Sequence, residues 1–315
     1  MQGDELYYNE RKEPNAMSTE PPREHPSTYI VQDRESKEEM ARLEIHDKML
    51  TAGMGGVLPE LSDLSHVRRV LDVGCGTGGW LMEIAKTYPT VEKLVGADIS
   101  GKMLAYARAQ AESLGLSGRV QFHTMDALRI LEFPPSSFDL VNQRMGTSWV
   151  RTWEWTKLLL EYQRVARPGG TIRITEPRVG VESNSPALNK LDKIFLETFY
   201  RSGRLFTASN DGLISHLARL MTQHGIRDVQ TRVHTLVFRG GTVEGQDFYE
   251  DTKRLYHVLL PFFQKWTRIP SNYEEIYQQA LKEMQQPDFV ATWPLHTVWG
   301  SRPKDGTSML IRGLR

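Results

Sequence analysis

The stretch Val70-Leu71-Asp72-Val73-Gly74-Cys75-Gly76-Thr77-Gly78-Gly79 constrains this chain more than any other. A short apolar strand runs into a turn dense in glycine, and Trp80-Leu81 then begin a helical pattern. Glycines tolerate positive φ and let backbone N–H groups approach a ligand closely. Such a strand, turn and helix predict an open α/β sheet that binds its ligand outside the carboxyl ends of the strands. The spacing alone leaves the ligand open. Gly74, Gly76 and Gly79 also satisfy the dinucleotide pattern, and Asp98 lies where a ribose-binding acid belongs. A nicotinamide or flavin enzyme is therefore a competing reading.

The flanking pattern supports the sheet. Strands are predicted over 70–73, 94–99, 120–125, 138–141 and 171–175. Helices are predicted between them, with Leu81, Ile84, Ala85 and Tyr88 on one face, then over 103–114 and 153–166. This alternation predicts parallel strands joined by right-handed crossovers. After residue 176 the rhythm loosens. Helices are expected over 186–204 and 211–224, the latter capped near Ser209 or Asn210. A strand follows over 229–238, a helical stretch over 246–285 and a last strand over 289–299. Upstream, Met40, Leu43, Ile45 and Leu50 among charges predict an amphipathic helix over 35–50. Residues 1–28 hold Pro14, Pro21, Pro22, Pro26 and six acids, which predicts a disordered tail.

Three features separate the readings. Asp72 puts an acid inside the strand end, Asp126-Ala127 puts another after the third strand, and no second mononucleotide half follows. With Asp72-Val73-Gly74-Cys75-Gly76-Thr77-Gly78, Gly96-Ala97-Asp98, Met125-Asp126-Ala127, Phe138 to Gln143 and Arg167-Pro168-Gly169-Gly170, residues 66–176 resemble class I S-adenosylmethionine-dependent methyltransferases. They are most similar to the small-molecule group that includes the ubiquinone and menaquinone biosynthesis methyltransferases. The resemblance covers about a third of the chain.

The resemblance implies a doubly wound α/β fold. Its mostly parallel seven-stranded sheet would have an antiparallel last strand, with a helical lid and an insertion added. The implied organisation is the tail, a lid over 29–60, and the methyltransferase domain over 61–315 with acceptor-side helices at about 183–206 and 246–285. The implied cofactor is S-adenosyl-L-methionine, released as S-adenosyl-L-homocysteine. Asp72, Gly74, Cys75, Gly76 and Gly78 would hold its methionine part, and Asp98, with Ile99 and Met103 beyond it, its ribose side. Asp126 and Ala127 would meet the adenine, and Asn142 and Gln143 would stand close to the sulfonium. Cys75 is expected to pack rather than react.

On the acceptor side, a base is needed only if the nucleophile arrives protonated. Glu176, following the fifth strand directly, is the leading candidate, with a structural carboxylate as the competing reading. Gln143 and Arg144 follow the fourth strand as further catalytic candidates, and Arg144 could instead be structural. His123 is expected in the core, while His46, His216 and His224 carry no motif. Tyr29, Trp149, Phe195 and Phe199 are the candidate acceptor-binding residues, in a region that also holds Trp153, Trp155, Tyr200 and Phe206. An apolar aromatic lining suits a small organic acceptor.

Composition removes other classes. Lys+Arg and Asp+Glu are both 39, so no global positive field points to a nucleic-acid partner. A single cysteine excludes an internal disulfide and argues against thiol-dependent arsenic methylation. No metal-ligand spacing is present, so no metal is expected. No apolar run of about 18 residues predicts a membrane span, and the expected setting is cytoplasmic, as a monomer or homodimer acting on a small secondary metabolite. The expected reaction is transfer of a methyl group to oxygen, carbon or nitrogen of a small, partly apolar acceptor. The rivals are a cyclase or pericyclase on the same scaffold, a methyltransferase-like binding subunit, and the NAD-dependent oxidoreductase.

Overall fold

The carboxyl ends of five parallel strands determine where this molecule can hold a ligand. The computed structural model describes residues 28–31, 33 and 36–304. The strands β1 (Arg69–Val73), β2 (Lys93–Asp98), β3 (Val120–Thr124), β4 (Phe138–Arg144) and β5 (Ala166–Pro177) lie in the order β3-β2-β1-β4-β5. Every pair in that run is parallel. Parallel strands are buried on both faces, which explains their near-continuous apolar runs. Val70, Leu94 and Leu140 enter one hydrophobic cluster, and their neighbours Leu71, Val95 and Val141 enter the other.

The crossovers are α2 (Gly79–Thr87), α3 (Gly101–Ser113) and α4 (Trp155–Val165). Ser100 caps α3, its hydroxyl accepting from Met103 N at 3.2 Å. After β5 come β6 (Glu182–Ser183), α5 (Pro186–Arg201), α6 (Ile214–Gln223) and β7 (Arg227–Arg239). The chain continues through α7 (Val243–Val258), α8 (Leu260–Trp266), α9 (Tyr273–Met284) and β8 (Val290–Ser301). β8 inserts between β5 and β7, antiparallel to both. A second mononucleotide half would have continued the sheet in parallel, so this topology departs from the dinucleotide-binding fold.

Four expectations need correction. The sheet has eight strands, not seven. β8 runs past the end of β5, and β6 pairs the exposed backbone of Ala291 and Thr292; unpaired edge groups of this kind seek partners. The helix predicted from Asp211 begins at Ile214 instead. Gly212 N donates to Ser209 O at 2.9 Å, so Ser209 and Asn210 belong to a turn, and Leu213 at the N-cap makes no side-chain bond. The helical stretch 246–285 is three helices; Pro261 opens α8, and Pro270 lies in the break before α9. His123 is exposed on edge strand β3, its ring against Phe133, rather than in the core.

The helix α1 (Lys37–Gly53) starts at Ser36, whose hydroxyl accepts from Glu39 N at 3.1 Å. It packs chiefly on α7, two hundred residues away in sequence. The predicted tail lies, except for Thr28, outside the described residues. Among the described residues, no helix is long and apolar enough to cross a membrane.

Candidate functional site

The ends of β1 to β5 open onto one cavity. Gly74 and Gly76 from the turn after β1, Asp98 from β2, Asp126 after β3, Arg144 from β4 and Pro177 from β5 all line it. The turn is built by its glycines: Gly74, Gly76 and Gly78 have φ of 71°, 51° and 74°. Side chains rarely adopt these angles. Gly74 N and Cys75 N both donate to Ala97 O, at 2.8 and 3.1 Å, which straps the turn to β2. Gly76 faces open space, with only Leu43 as near as 4.0 Å to a Cβ placed there. Gly78 does not line the cavity; its modest volume instead admits Phe122, 2.7 Å from where a Cβ would stand.

Gly96 sits beneath the turn. A Cβ there would lie 2.6 Å from Cys75 Sγ and 2.7 Å from Phe122 Cδ1. Gly96→Ala is therefore expected to cost about 1–3 kcal/mol by overpacking, read as a lower denaturation midpoint in urea. Cys75 packs as expected: burial, with Asp98 and Asp72 nearby, pushes its thiol up and keeps it unreactive.

The acids are individually placed. Asp98 accepts Gly76 N on Oδ2 at 2.9 Å and Ser100 N on Oδ1 at 2.8 Å. Asp126 Oδ1 accepts Leu128 N at 3.0 Å, which turns the carboxylate along the cavity wall. Asp72 is buried, and burial raises its pKa to about 7 despite Arg144 and the amide of Asn142, which donates to it at 2.7 Å. Ile99, Met103 and Ala127 complete this half of the lining.

The second half is aromatic. Tyr29, Trp149, Phe195 and Phe199 line the same cavity, as the sequence suggested, and Trp293 joins them. The Trp149 indole lies over Gly74, its Nε1 3.0 Å from a Cβ placed there. The segment before α1 is fastened to this wall: Thr28 Oγ1 donates to Trp149 O at 2.6 Å, and Ile30 N to Ser148 O at 3.0 Å. Trp155 is buried elsewhere, while Trp153 and Tyr200 are exposed.

Three predicted residues stand behind the cavity rather than in it. Glu176 is fully buried and does not line it. Its Oε1 accepts Gly146 N at 2.7 Å and Gln143 Nε2 at 2.9 Å, and its Oε2 accepts Thr147 N at 2.9 Å and Thr147 Oγ1 at 2.5 Å. Burial pushes its pKa up against these four donors. A carboxylate so occupied holds the short helical turn Gly146–Ser148 and is not positioned as a general base. Gln143 is equally buried, donating to Glu176 and accepting from the Tyr162 hydroxyl. Asn142 bridges Asp72 and Arg173, accepting from the latter at 2.7 Å. Neither Asn142 nor Gln143 reaches the cavity surface. Arg144 does, but it is ion-paired to Asp47 of α1 and fastens the lid to β4 instead of offering an unpaired clamp.

His46, which the sequence offered as able to reach a cleft but with no motif, belongs to the lining. Its Nδ1 lies 3.1 Å from Asp251 Oδ2 on α7. Arg42 donates to Asp251 Oδ1 at 3.1 Å and to both oxygens of Glu39, at 2.7 and 2.8 Å. The signal was present: Glu39, Arg42, His46 and Met49 recur at helical spacing and are all buried. A polar residue repeating on the buried face of a helix needs a partner, and α7 supplies it.

Comparison with known proteins agrees with this geometry. Residues 70–170 match the family model described as a methyltransferase domain. Over that segment the chain is similar to a methyltransferase domain. Over 109 residues the sequence is 40% identical to a demethylmenaquinone methyltransferase of Deinococcus radiodurans, covering 35% of this chain and 43% of that one. Over 166 residues it is 31% identical to a ubiquinone/menaquinone biosynthesis C-methyltransferase of Ectopseudomonas mendocina, covering 52% and 62%. The chain thus spans less than two thirds of either relative. In fold it is similar to phosphoethanolamine N-methyltransferase 2 of Haemonchus contortus, solved with S-adenosylhomocysteine. That likeness has a TM-score of 0.54 at 20% identity, over 87% of this chain and 60% of that one. The YcgJ protein of Bacillus subtilis gives a TM-score of 0.51 at 17% identity, over 81% and 99%. The family match ends at residue 170, so the methyltransferase domain supplies the glycine turn and acids, while the aromatic wall beyond Trp149 and His46 lie outside it.

Proposed function

We propose that this chain binds S-adenosylmethionine in the cavity and transfers its methyl group to a small, partly apolar acceptor held against the aromatic wall. One observation carries the reading: the glycine turn with Asp98 and Asp126 lines the same cavity as Tyr29, Trp149, Phe195, Phe199 and Trp293. The residues fit the cofactor. The open face of Gly76 leaves space for close backbone approach. Asp98 would accept the ribose hydroxyls, Asp126 and the backbone at Ala127 would meet the adenine edge, and Ile99 and Met103 would cover its faces.

When bound, the cofactor supplies a methyl group already activated on a sulfonium. The chain's own contribution is position and exclusion of water. The aromatic wall and the strapped segment at Thr28–Ile30 hold an acceptor against the methyl side, and alignment of the reacting atoms lowers the barrier. The quinone methyltransferase relatives act on ring compounds by their names, and an aromatic wall suits such a shape.

Asp72 makes the binding pH-dependent. A sulfonium is stabilised by an ionised Asp72, whose pKa is raised to about 7. Affinity for S-adenosylmethionine is therefore expected to rise as pH rises through about 7, and to rise less for S-adenosylhomocysteine, whose thioether sulfur carries no charge. Asp72→Asn should flatten the first curve. Calorimetry across this pH range, with NAD as a third ligand, tests the reading: binding of NAD and of neither sulfur ligand would sink it.

A further inference from the structure

We propose that His46 is the general base of this site, that Asp251 is its positioning residue, and that the acceptor is a neutral hydroxyl compound of the phenol class. The inference rests on the reading of the cavity as a methyl-transfer site.

The chemistry of the contacts determines which ring nitrogen is basic. Asp251 is buried, and Arg42 donates to its Oδ1 at 3.1 Å in an ion pair that favours the ionised carboxylate. An ionised carboxylate only accepts, so Nδ1 of His46 is the donor across 3.1 Å. The neutral ring then carries its lone pair on Nε2, which makes no hydrogen bond to a described residue. His46 lines the cavity, and Trp293 sits at its edge with ring centroids 5.7 Å apart, which limits rotation of the imidazole.

His46 stands beside a buried charged cluster. Glu39 and Asp251 carry two formal negative charges and Arg42 one positive charge, all buried. The cluster therefore has a formal charge of −1 beside the His46 ring. The charged groups facing His46 are Asp251 from α7 and Arg42 from its own helix; β8 presents Trp293, and β7 meets α1 through Leu236.

The acceptor class follows from the cations. Arg42, Arg144 and Arg178 line the cavity, and each is ion-paired, to Glu39 and Asp251, to Asp47, and to Glu182. Arg42 and Arg144 are thus held by acids of α1 and α7, while Arg178 meets only the exposed Glu182 and Asp211. A neutral O–H compound with an apolar body fits what remains. In the step, the O–H bond breaks and its proton passes to Nε2. The oxygen pair forms the new bond to the methyl carbon, and the carbon–sulfur bonding pair stays on sulfur. The products are a methyl ether, the neutral thioether and a protonated His46, which returns its proton to solvent as product leaves.

The full chain with S-adenosylhomocysteine added tests the assignment. Nitrogen NMR of labelled histidine should show the neutral form of His46 protonated at Nδ1 and bare at Nε2. Methyl transfer should then be measured on two sets of phenols, one with pKa of about 10 and one nitro-substituted and already ionised. His46→Ala, and His46→Gln as the variant closer in size, should lower kcat by about 10²–10⁴-fold on the first set. The loss on the ionised set should be under about tenfold, with affinity for S-adenosylhomocysteine unchanged. Equal losses on both sets, an Nε2–H tautomer, or no transfer to any phenol overturns the inference while leaving the cofactor site standing. If the wild-type chain binds neither S-adenosylmethionine nor S-adenosylhomocysteine, the reading of the site itself falls, and this inference with it.

Discussion

Asp98→Ala is expected to weaken S-adenosylhomocysteine binding by about 10²–10⁴-fold. The proposed contact is two ribose hydroxyls donating to one carboxylate, and hydrogen bonds to a charged group contribute about 1.5–3 kcal/mol each. The same carboxylate also holds Gly76 N and Ser100 N, so its loss loosens the turn that approaches the cofactor. Asp98→Asn keeps nearly the same shape and one accepting oxygen but turns an amide N–H toward Gly76 N or Ser100 N, so affinity should fall by about tenfold or more with part of the loss passing through the turn. Calorimetry with the thioether product reads both variants without any acceptor, and circular dichroism checks the fold. Unchanged affinity in Asp98→Ala would mean that the ribose contact has been misassigned.

Glu176→Ala is expected to destabilise the chain by about 3–5 kcal/mol, because a buried charge partner is removed and its donors are left unpaired. Four donors converge on that carboxylate, from Gly146, Thr147 and Gln143. Nothing can fill in, since the turn is already tight: a Cβ on Gly146 would stand 1.8 Å from Gln143 Nε2. Glu176→Gln is the informative companion. It turns an amide N–H toward a donor and should cost about 1–3 kcal/mol, yet leave turnover of the folded protein within a few-fold. A general base replaced by an amide would instead lose about 10²–10⁴ in rate. Denaturant melts and a rate measurement on the same preparation decide between the two roles.

Glu176 also shows why a residue can be correctly placed and wrongly read. Its position at the carboxyl end of β5 was legible, because strand ends follow from the apolar run before them. Its direction was not. Side chains alternate along a strand, and Ile172 and Ile174 enter one hydrophobic cluster, so Glu176 points the same way, under the turn after β4. That turn was not legible as a set of donors. Asn142 and Gln143 were misread for the same reason: both sit on β4, and both are committed to buried partners on neighbouring strands or helices.

The glycine turn, Asp98 and Asp126 were legible because their geometry is local. A strand, a turn and a helix bring Gly74, Gly76 and the end of β2 together within thirty residues, and the positive φ angles require glycine whatever the rest of the chain does. The aromatic positions Tyr29, Trp149, Phe195 and Phe199 were legible as a type of residue in a region. That they face one cavity depends on the straps from Thr28 and Ile30 to Ser148 and Trp149.

The sequence by itself determined the parallel sheet and the glycine turn and acids that line the cavity, because periodicity and backbone constraint act between near neighbours. Only the tertiary structure decided what α1 and α7 bring to it. His46 and Asp251 lie 205 positions apart, and each alone reads as an ordinary polar residue on a helix. Their pairing exists because α1 packs on α7, a contact made of apolar area and buried charge that no local spacing records.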